Sequence, residues 1–282
     1  IEEFVSSRFH QLQEAVRTMP LRAEFVAELR QRFASVFGQD LGQVPVFVRS
    51  DTNMEDLKDF SGAGLNLTVP NVIDESALLD AVRKVWASAY SERSYQWRQR
   101  ILMNPEDIYP SILLQRSVDV DASGVLLTTG LTAGGPEDVT VAFNRGVGGA
   151  VDGQAAETWL LRTGGPDELL APAREPTYRT LGEQGGVVER STSFETPILS
   201  PQRRAILRSV ATEVRTRLPD LPGIDSKGPF DVELGFVGDR PWLFQARPFV
   251  ENRRLRSIEY LRSLDRRPNA EDDVSLSMPI LE

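Results

Sequence analysis

The sequence predicts a mixed α+β fold. Apolar residues at helical spacing alternate along the chain with short β-branched runs, and Gly- and Asp-rich turns separate the runs. The 282 residues are 40% hydrophobic and 26% charged, which suits one large domain or two smaller lobes. A net charge of −9 argues against broad nucleic-acid binding, so an anionic ligand needs a local cluster of donors. Without cysteine there are no disulfides, thiolate nucleophiles or Cys-based metal sites. No apolar stretch approaches the roughly 18 residues of a membrane span, and no charged-then-apolar leader opens the sequence. A cytoplasmic protein is expected.

The N-terminal stretch reads as helix, with Ile1, Phe4, Val5, Phe9 and Leu12 in phase. A second helix follows Pro20, carrying Phe25, Leu29, Phe33 and Val36. Val44–Val48 is an apolar run of the kind found in buried strands, and Ser50–Asn66 reads as a loop of Ser, Asp, Gly and Asn. Residues 75–100 are expected to form one long helix with Leu78, Val82, Trp86 and Tyr90 inward. Strands are expected at Ser111–Val118, Gly124–Thr129, Asp138–Asn144 and Glu157–Arg162, with a flexible loop over Gly146–Gly153. A helix over Pro201–Leu218 precedes strands at Phe230–Val237 and Pro241–Arg247, and Ser257–Leu264 reads as a terminal helix. The stretch from Asp272 onward reads as a linker, so the chain is expected to be a segment of a longer one.

Two constellations could carry chemistry. In Val46–Leu65 an apolar strand delivers Arg49 toward small and polar residues; the fork of an arginine suits phosphate oxygens, and Gly62 and Gly64 would let backbone amides approach a ligand. An arginine so placed is also the ordinary partner of a structural carboxylate, and Glu55 and Asp56 are near. In Asp231–Pro248 the strand period puts Asp231 and Glu233 on one face, and Gln245 and Arg247 on one face of the next strand. A three-residue loop, Gly238–Arg240, sets Glu233 opposite Gln245 and Asp231 opposite Arg247; a two-residue loop moves the pairs to opposite faces. Two carboxylates, an amide and an arginine on one wall suit Mg²⁺ with a triphosphate, or equally a solvated polar face with a salt bridge.

Together these stretches resemble the phosphoenolpyruvate synthase and pyruvate phosphate dikinase family. Val48-Arg49-Ser50 with Glu55-Asp56 is similar to its V-R-S-S-x-x-x-E-D loop, and Asp231-x-Glu233 with Leu243–Pro248 to its closing hairpin. Residues 113–129 resemble the hinge strand and the one after it, and Gly146–Gly153 stands at a Gly-Leu-Gly-Glu loop. The likeness runs in order over about residues 44–249. It implies an ATP-grasp-like, two-lobe nucleotide-binding domain that uses ATP and Mg²⁺: 1–115 as helices with part of a first lobe, 116–250 as a second lobe, and 251–282 as a helix and linker. By the same resemblance Arg49 is the catalytic charge on the phosphoryl group. Glu233 and Gln245 hold metal or phosphates, Asp231 and Arg247 support them, and Gln115–Val118 offer backbone groups to adenine. The β-phosphoryl of ATP would pass to a histidine on another domain and then to an acceptor such as pyruvate.

The sequence departs from that pattern in three places. The family's upstream Gly-rich segment with a phosphate-binding lysine has no counterpart here, since the lysines are Lys58, Lys84 and Lys227. Thr128-Thr129-Gly130-Leu131 stands where an acidic or amide residue and Pro are usual, and Gly149 replaces a glutamate. No Thr-Gly-Gly run is followed by histidine, and the sole histidine, His10, reads as an ordinary helix residue. A non-catalytic nucleotide-binding or scaffolding domain is the second expectation. Trp86, Tyr90 and Trp97 read as packing, Arg253–Arg256 as a solvated face, and Gly182, Gly185 and Gly186 as a surface loop.

Overall fold

The computed structural model describes residues 2–53, 67–101, 104, 106–131, 134–149 and 154–249, all within one compact unit spanning Ile1–Phe249. The expected glycines 62 and 64, the carboxylates Glu55 and Asp56, Lys58, the Arg253–Arg256 run, the Ser257–Leu264 helix and the 251–282 segment lie outside the described residues.

The first half builds a small sheet under helices. Helices α1 (Glu2–Thr18) and α2 (Ala23–Phe37) form as expected, and α2 stops where Gly38 takes a left-handed φ of 72° and donates its N–H to Ala34 O. Strands β1 (Val46–Thr52), β2 (Thr68–Val72) and β3 (Pro110–Arg116) pair antiparallel in the order β2-β1-β3. Alternation then divides the sheet: Val46 and Val48 are fully buried with Phe33, Leu78 and Val82, while Phe47 and Arg49 emerge on the opposite face. Each fully buried aliphatic side chain contributes about 1.5–3 kcal/mol, so this face fixes the register.

The long helix expected over 75–100 is two helices, α3 (Glu75–Ser88) and α4 (Glu92–Ile101). Asp74 caps α3 by accepting from Ala77 N, and the Ser91 hydroxyl accepts from Ser94 N to start α4. Serine followed by glutamate within an apolar-periodic run is a start signal, and here it overrides the continuous stripe. Trp86 packs on Phe25 with ring centroids 5.6 Å apart, and His10 is an exposed residue of α1.

The second half is one six-stranded antiparallel sheet. Strands β4 (Ala122–Leu127), β5 (Val139–Arg145), β6 (Glu157–Leu161), β7 (Glu168–Ala171), β10 (Phe230–Val237) and β11 (Arg240–Pro248) follow the order β11-β10-β4-β5-β6-β7. Helix α5 (Pro201–Arg217) covers one face, with Leu207 and Ala211 buried against Leu126, Val141, Val232 and Leu234. Its start is set by Ser200, whose side chain accepts from Arg203 N, and by Pro201 in the first turn. Near its end Arg215 forks onto the carbonyls of Thr128 (2.9 Å) and Asp138 (2.9 Å). A separate hairpin of β8 (Thr177–Leu181) and β9 (Val187–Ser191) was expected only as a loop. Its two short runs flank a five-residue turn, Gly182–Gly186, that contains three glycines, which is a hairpin signal.

Candidate functional site

The exposed face of β1 and the α5-distal face of β10 look into a cleft of ≈ 300 Å³. Its apolar lining includes Phe47, Pro70, Val118, Val187 and Phe244, and its charged lining is Arg49, Arg179 and Glu233. A concave, mostly apolar cleft with a few converging polar groups is the usual form of a small-molecule site.

Arg49 stands at the meeting point. It is not delivered into a loop, because β1 continues through Thr52; it projects from a central strand paired to Thr68 on one side and Leu113 on the other. Its Nη1 donates to Gln115 Oε1 (3.1 Å), and its Nη2 to Gln245 Oε1 (2.9 Å) and Glu233 Oε2 (3.5 Å). The partners come from β3, β11 and β10, so one guanidinium ties both sheets together. Gln115 enters through its side chain, since its Nε2 also donates to Phe244 O (3.0 Å) while its backbone pairs with Phe47. Val118 lines the cleft, and its carbonyl already accepts from Val120 N (3.0 Å).

On the closing hairpin Glu233 lies opposite Gln245 and Asp231 opposite Arg247. The route differs from the three-residue loop considered above. The turn holds two residues, Gly238 and Asp239, and a β-bulge between Glu233 and Leu234 supplies the missing step. The extra residue is Phe244, which lines the cleft and whose carbonyl holds Gln115. A bulge carries no reliable sequence signature, so Phe244 could not be found from the sequence. Arg247 grips Asp231 Oδ2 with Nε (3.1 Å) and Nη2 (2.9 Å), and its Nη2 is 4.0 Å from Glu233 Oε1.

Burial pushes the Glu233 carboxyl above its ordinary value, against the opposing pull of Arg49 and Arg247. No group of three or more His, Cys, Asp or Glu side chains among the described residues could hold a metal by itself. Glu233 and the Gln245 amide are nonetheless a fitting set for Mg²⁺, which takes one or two protein carboxylates and completes its shell with phosphate and water. Asp231, clamped by Arg247, backs them.

Two further parts complete the site. One is the glycine loop after β5, which stands where the resemblance puts a Gly-Leu-Gly-Glu loop. There Gly146 has a φ of 66°, and a Cβ would lie 1.9 Å from Arg179 O, so only glycine fits. The other is the β8–β9 hairpin, which carries Arg179 and Val187 into the lining.

Residues 2–260 match the family described as pyruvate phosphate dikinase, AMP/ATP-binding domain. The chain belongs to this family. Within the AMP/ATP-binding domain family its relatives include a probable phosphoenolpyruvate synthase of Archaeoglobus fulgidus, 28% identical over 75% of this chain. The prodigiosin synthesizing transferase PigC of Serratia marcescens is 29% identical over 83% of it, and a rifampicin phosphotransferase of a Streptomyces species 28% identical over 72%. The chain spans 28%, 26% and 22% of those relatives' lengths. The chain is thus an α+β domain of the AMP/ATP-binding family, and the resemblance read from its motifs holds. No helix among the described residues is long and apolar enough to cross a membrane.

Proposed function

We propose that this domain binds ATP with Mg²⁺ in the cleft between its two sheets and serves a dikinase-like phosphotransferase. A phosphoryl group would leave ATP for a histidine on another domain and then reach an acceptor such as pyruvate. The observation that carries the reading is Arg49, which meets Glu233 and Gln245 from a different sheet inside the cleft. The division of the chain near residue 115 into two ATP-grasp-like lobes fits the break between the three-stranded and six-stranded sheets. A cytoplasmic location belongs to the same proposal.

The geometry supports a role for each residue. Arg49 would exchange Glu233 and Gln245 for phosphoryl oxygens, holding them in fixed orientation and stabilising charge as it shifts between oxygens. Glu233 Oε2 and Gln245 Oε1, released from Arg49, would face the cation. Asp231 holds Arg247 in place beside Glu233, which would keep the positive edge of the site fixed. Phe47, Pro70, Val118 and Phe244 offer the apolar walls that a purine needs. Mg²⁺, when bound, supplies neutralising charge for the phosphates.

Calorimetric titration with ATP and Mg²⁺ tests this. Arg49→Ala and Glu233→Ala should each weaken binding by at least about tenfold, the scale of one lost charge-assisted hydrogen bond. Unchanged affinity in both would remove the nucleotide from this cleft.

A second reading, a nucleotide-binding domain without the chemistry, is favoured by Gly149. A Cβ there would lie 2.5 Å from Asn144 Cβ, so this backbone has no room for the glutamate that the resemblance places here. Phosphoryl transfer from labelled ATP to the intact protein separates the two: label retained on protein supports the enzyme, and binding without transfer supports the second reading.

A further inference from the structure

The β8–β9 hairpin lies across the cleft and is fastened at both ends. On the side of the three-stranded sheet the fastener is Asn71. This residue is buried at 4% exposure and holds a left-handed φ of 48°, a conformation asparagine tolerates better than most residues with a side chain. Its Nδ2 donates to the carbonyls of Gly182 (2.7 Å) and Gly186 (3.1 Å), and its own carbonyl accepts from Gly186 N (3.0 Å). Both side-chain donor positions and the backbone acceptor are spent on the hairpin turn. On the side of the six-stranded sheet Val147 N donates to Arg179 O (2.8 Å), and Leu181 N donates to Asp119 Oδ1 (2.9 Å).

The pairing of Leu181 with Val187 and of Arg179 with Glu189 puts Arg179 and Val187 on one face, two pairs apart. That face looks into the cleft, since both residues line it. Val187 and Pro70, next to Asn71, both line the cleft, while the Arg179 backbone is bonded to Val147 of the glycine loop and Arg179 is exposed. Arg49 and Arg179 are the cations of the lining, on a protein whose net charge is −9, and Glu189 is paired opposite Arg179. A ligand that carries several negative charges into this cleft finds Arg179 among its lining residues.

We propose that Arg179 is a contact for the anionic part of a nucleoside di- or triphosphate, and that Asn71 is the positioning residue that latches the hairpin bearing it. The proposal rests on the nucleotide occupying this cleft. Asn71 acts through Arg179 and not on the ligand, so the two side chains belong to one thermodynamic unit.

The test is a double-mutant cycle on the intact protein, read by titration with ATP and with adenosine. Arg179→Ala should weaken ATP by about tenfold and leave adenosine within about twofold, because only the phosphate contact is lost. Arg179→Lys should recover part of the loss. Asn71→Gly keeps the positive φ without strain and deletes only the side-chain donors, so the fold is retained. It should speed amide hydrogen exchange across residues 177–191 and weaken ATP. The double variant should be little worse than Arg179→Ala alone. ATP binding unaffected by Arg179→Ala would overturn the contact, and losses that simply add would overturn the latch. Indifference of ATP to Arg49→Ala and Glu233→Ala as well would instead remove the nucleotide, and this proposal with it.

Discussion

Glu233 is a carboxyl held between two arginines yet raised above its ordinary value by burial. Its protonated form therefore contributes stability that is fully present below the unfolded value near 4.5 and is lost as pH rises through the higher folded value. Glu233→Gln, an uncharged shape match, should unfold at a higher temperature than the parent well above that range, and the two should converge below it. For a domain of this size about 1 kcal/mol corresponds to roughly 2–4 °C, and thermal scans across pH read it directly. The same variant should bind Mg²⁺-ATP more weakly, so stability and function move in opposite directions. At this scale the sequence was informative where chemistry is carried by residue type. Asp231 stands opposite Arg247 and Glu233 opposite Gln245, restored by a bulge and not by the loop length considered. That Arg49 meets them was implied only by the resemblance, and Gln115 joins them by its side chain in place of its backbone. Arg179 and Asn71 were invisible because their significance depends on which strand crosses the cleft, and no local pattern encodes that.

Strand periodicity placed seven of the strands, since alternation or an apolar run survives any tertiary context. It missed β2, β7 and the β8–β9 hairpin, which are four or five residues long and show no clear alternation. Such strands are held by what they dock against. The glycine loop shows the dependence most sharply: Gly146 makes a bridge to Arg179 that no Cβ could share. Gly146→Ala should destabilise the protein by about 1–3 kcal/mol through positive-φ strain and the clash with Arg179 O. Denaturant midpoints would check the loss, and faster hydrogen exchange confined to the hairpin would assign it to this bridge. The expected single helix over 75–100 failed for an element-level reason too, because a capping serine in mid-run outranks a continuous apolar stripe.

At the scale of the molecule the order of helices and strands was enough to set the α+β class, because each element needs a covered apolar face. Two separate cores, one around Val46 and Leu78 and one around Leu126 and Leu207, carry the two sheets. The cleft between them could not be drawn from sequence, as it depends on Phe244 and on a hairpin whose turn glycines read as a plain surface loop. A ligand seated there touches both sheets and binds only the folded state. Mg²⁺-ATP at a hundredfold excess over its Kd should therefore stabilise the protein by about 2.7 kcal/mol, and adenosine at equal concentration by less. A thermal shift series with both ligands would show it, and equal shifts would contradict a phosphate contribution.

The elevated carboxyl between Arg49 and Arg247 has one more consequence, and it is written in heat. A cation arriving at Glu233 needs an ionised oxygen, so near the raised value each binding event expels a fraction of a proton into the medium. The enthalpy observed in a calorimeter should then vary with the ionisation heat of the buffer, while the affinity at fixed pH does not. In Glu233→Gln there is no such proton at that position to expel, and any residual buffer dependence belongs to other groups.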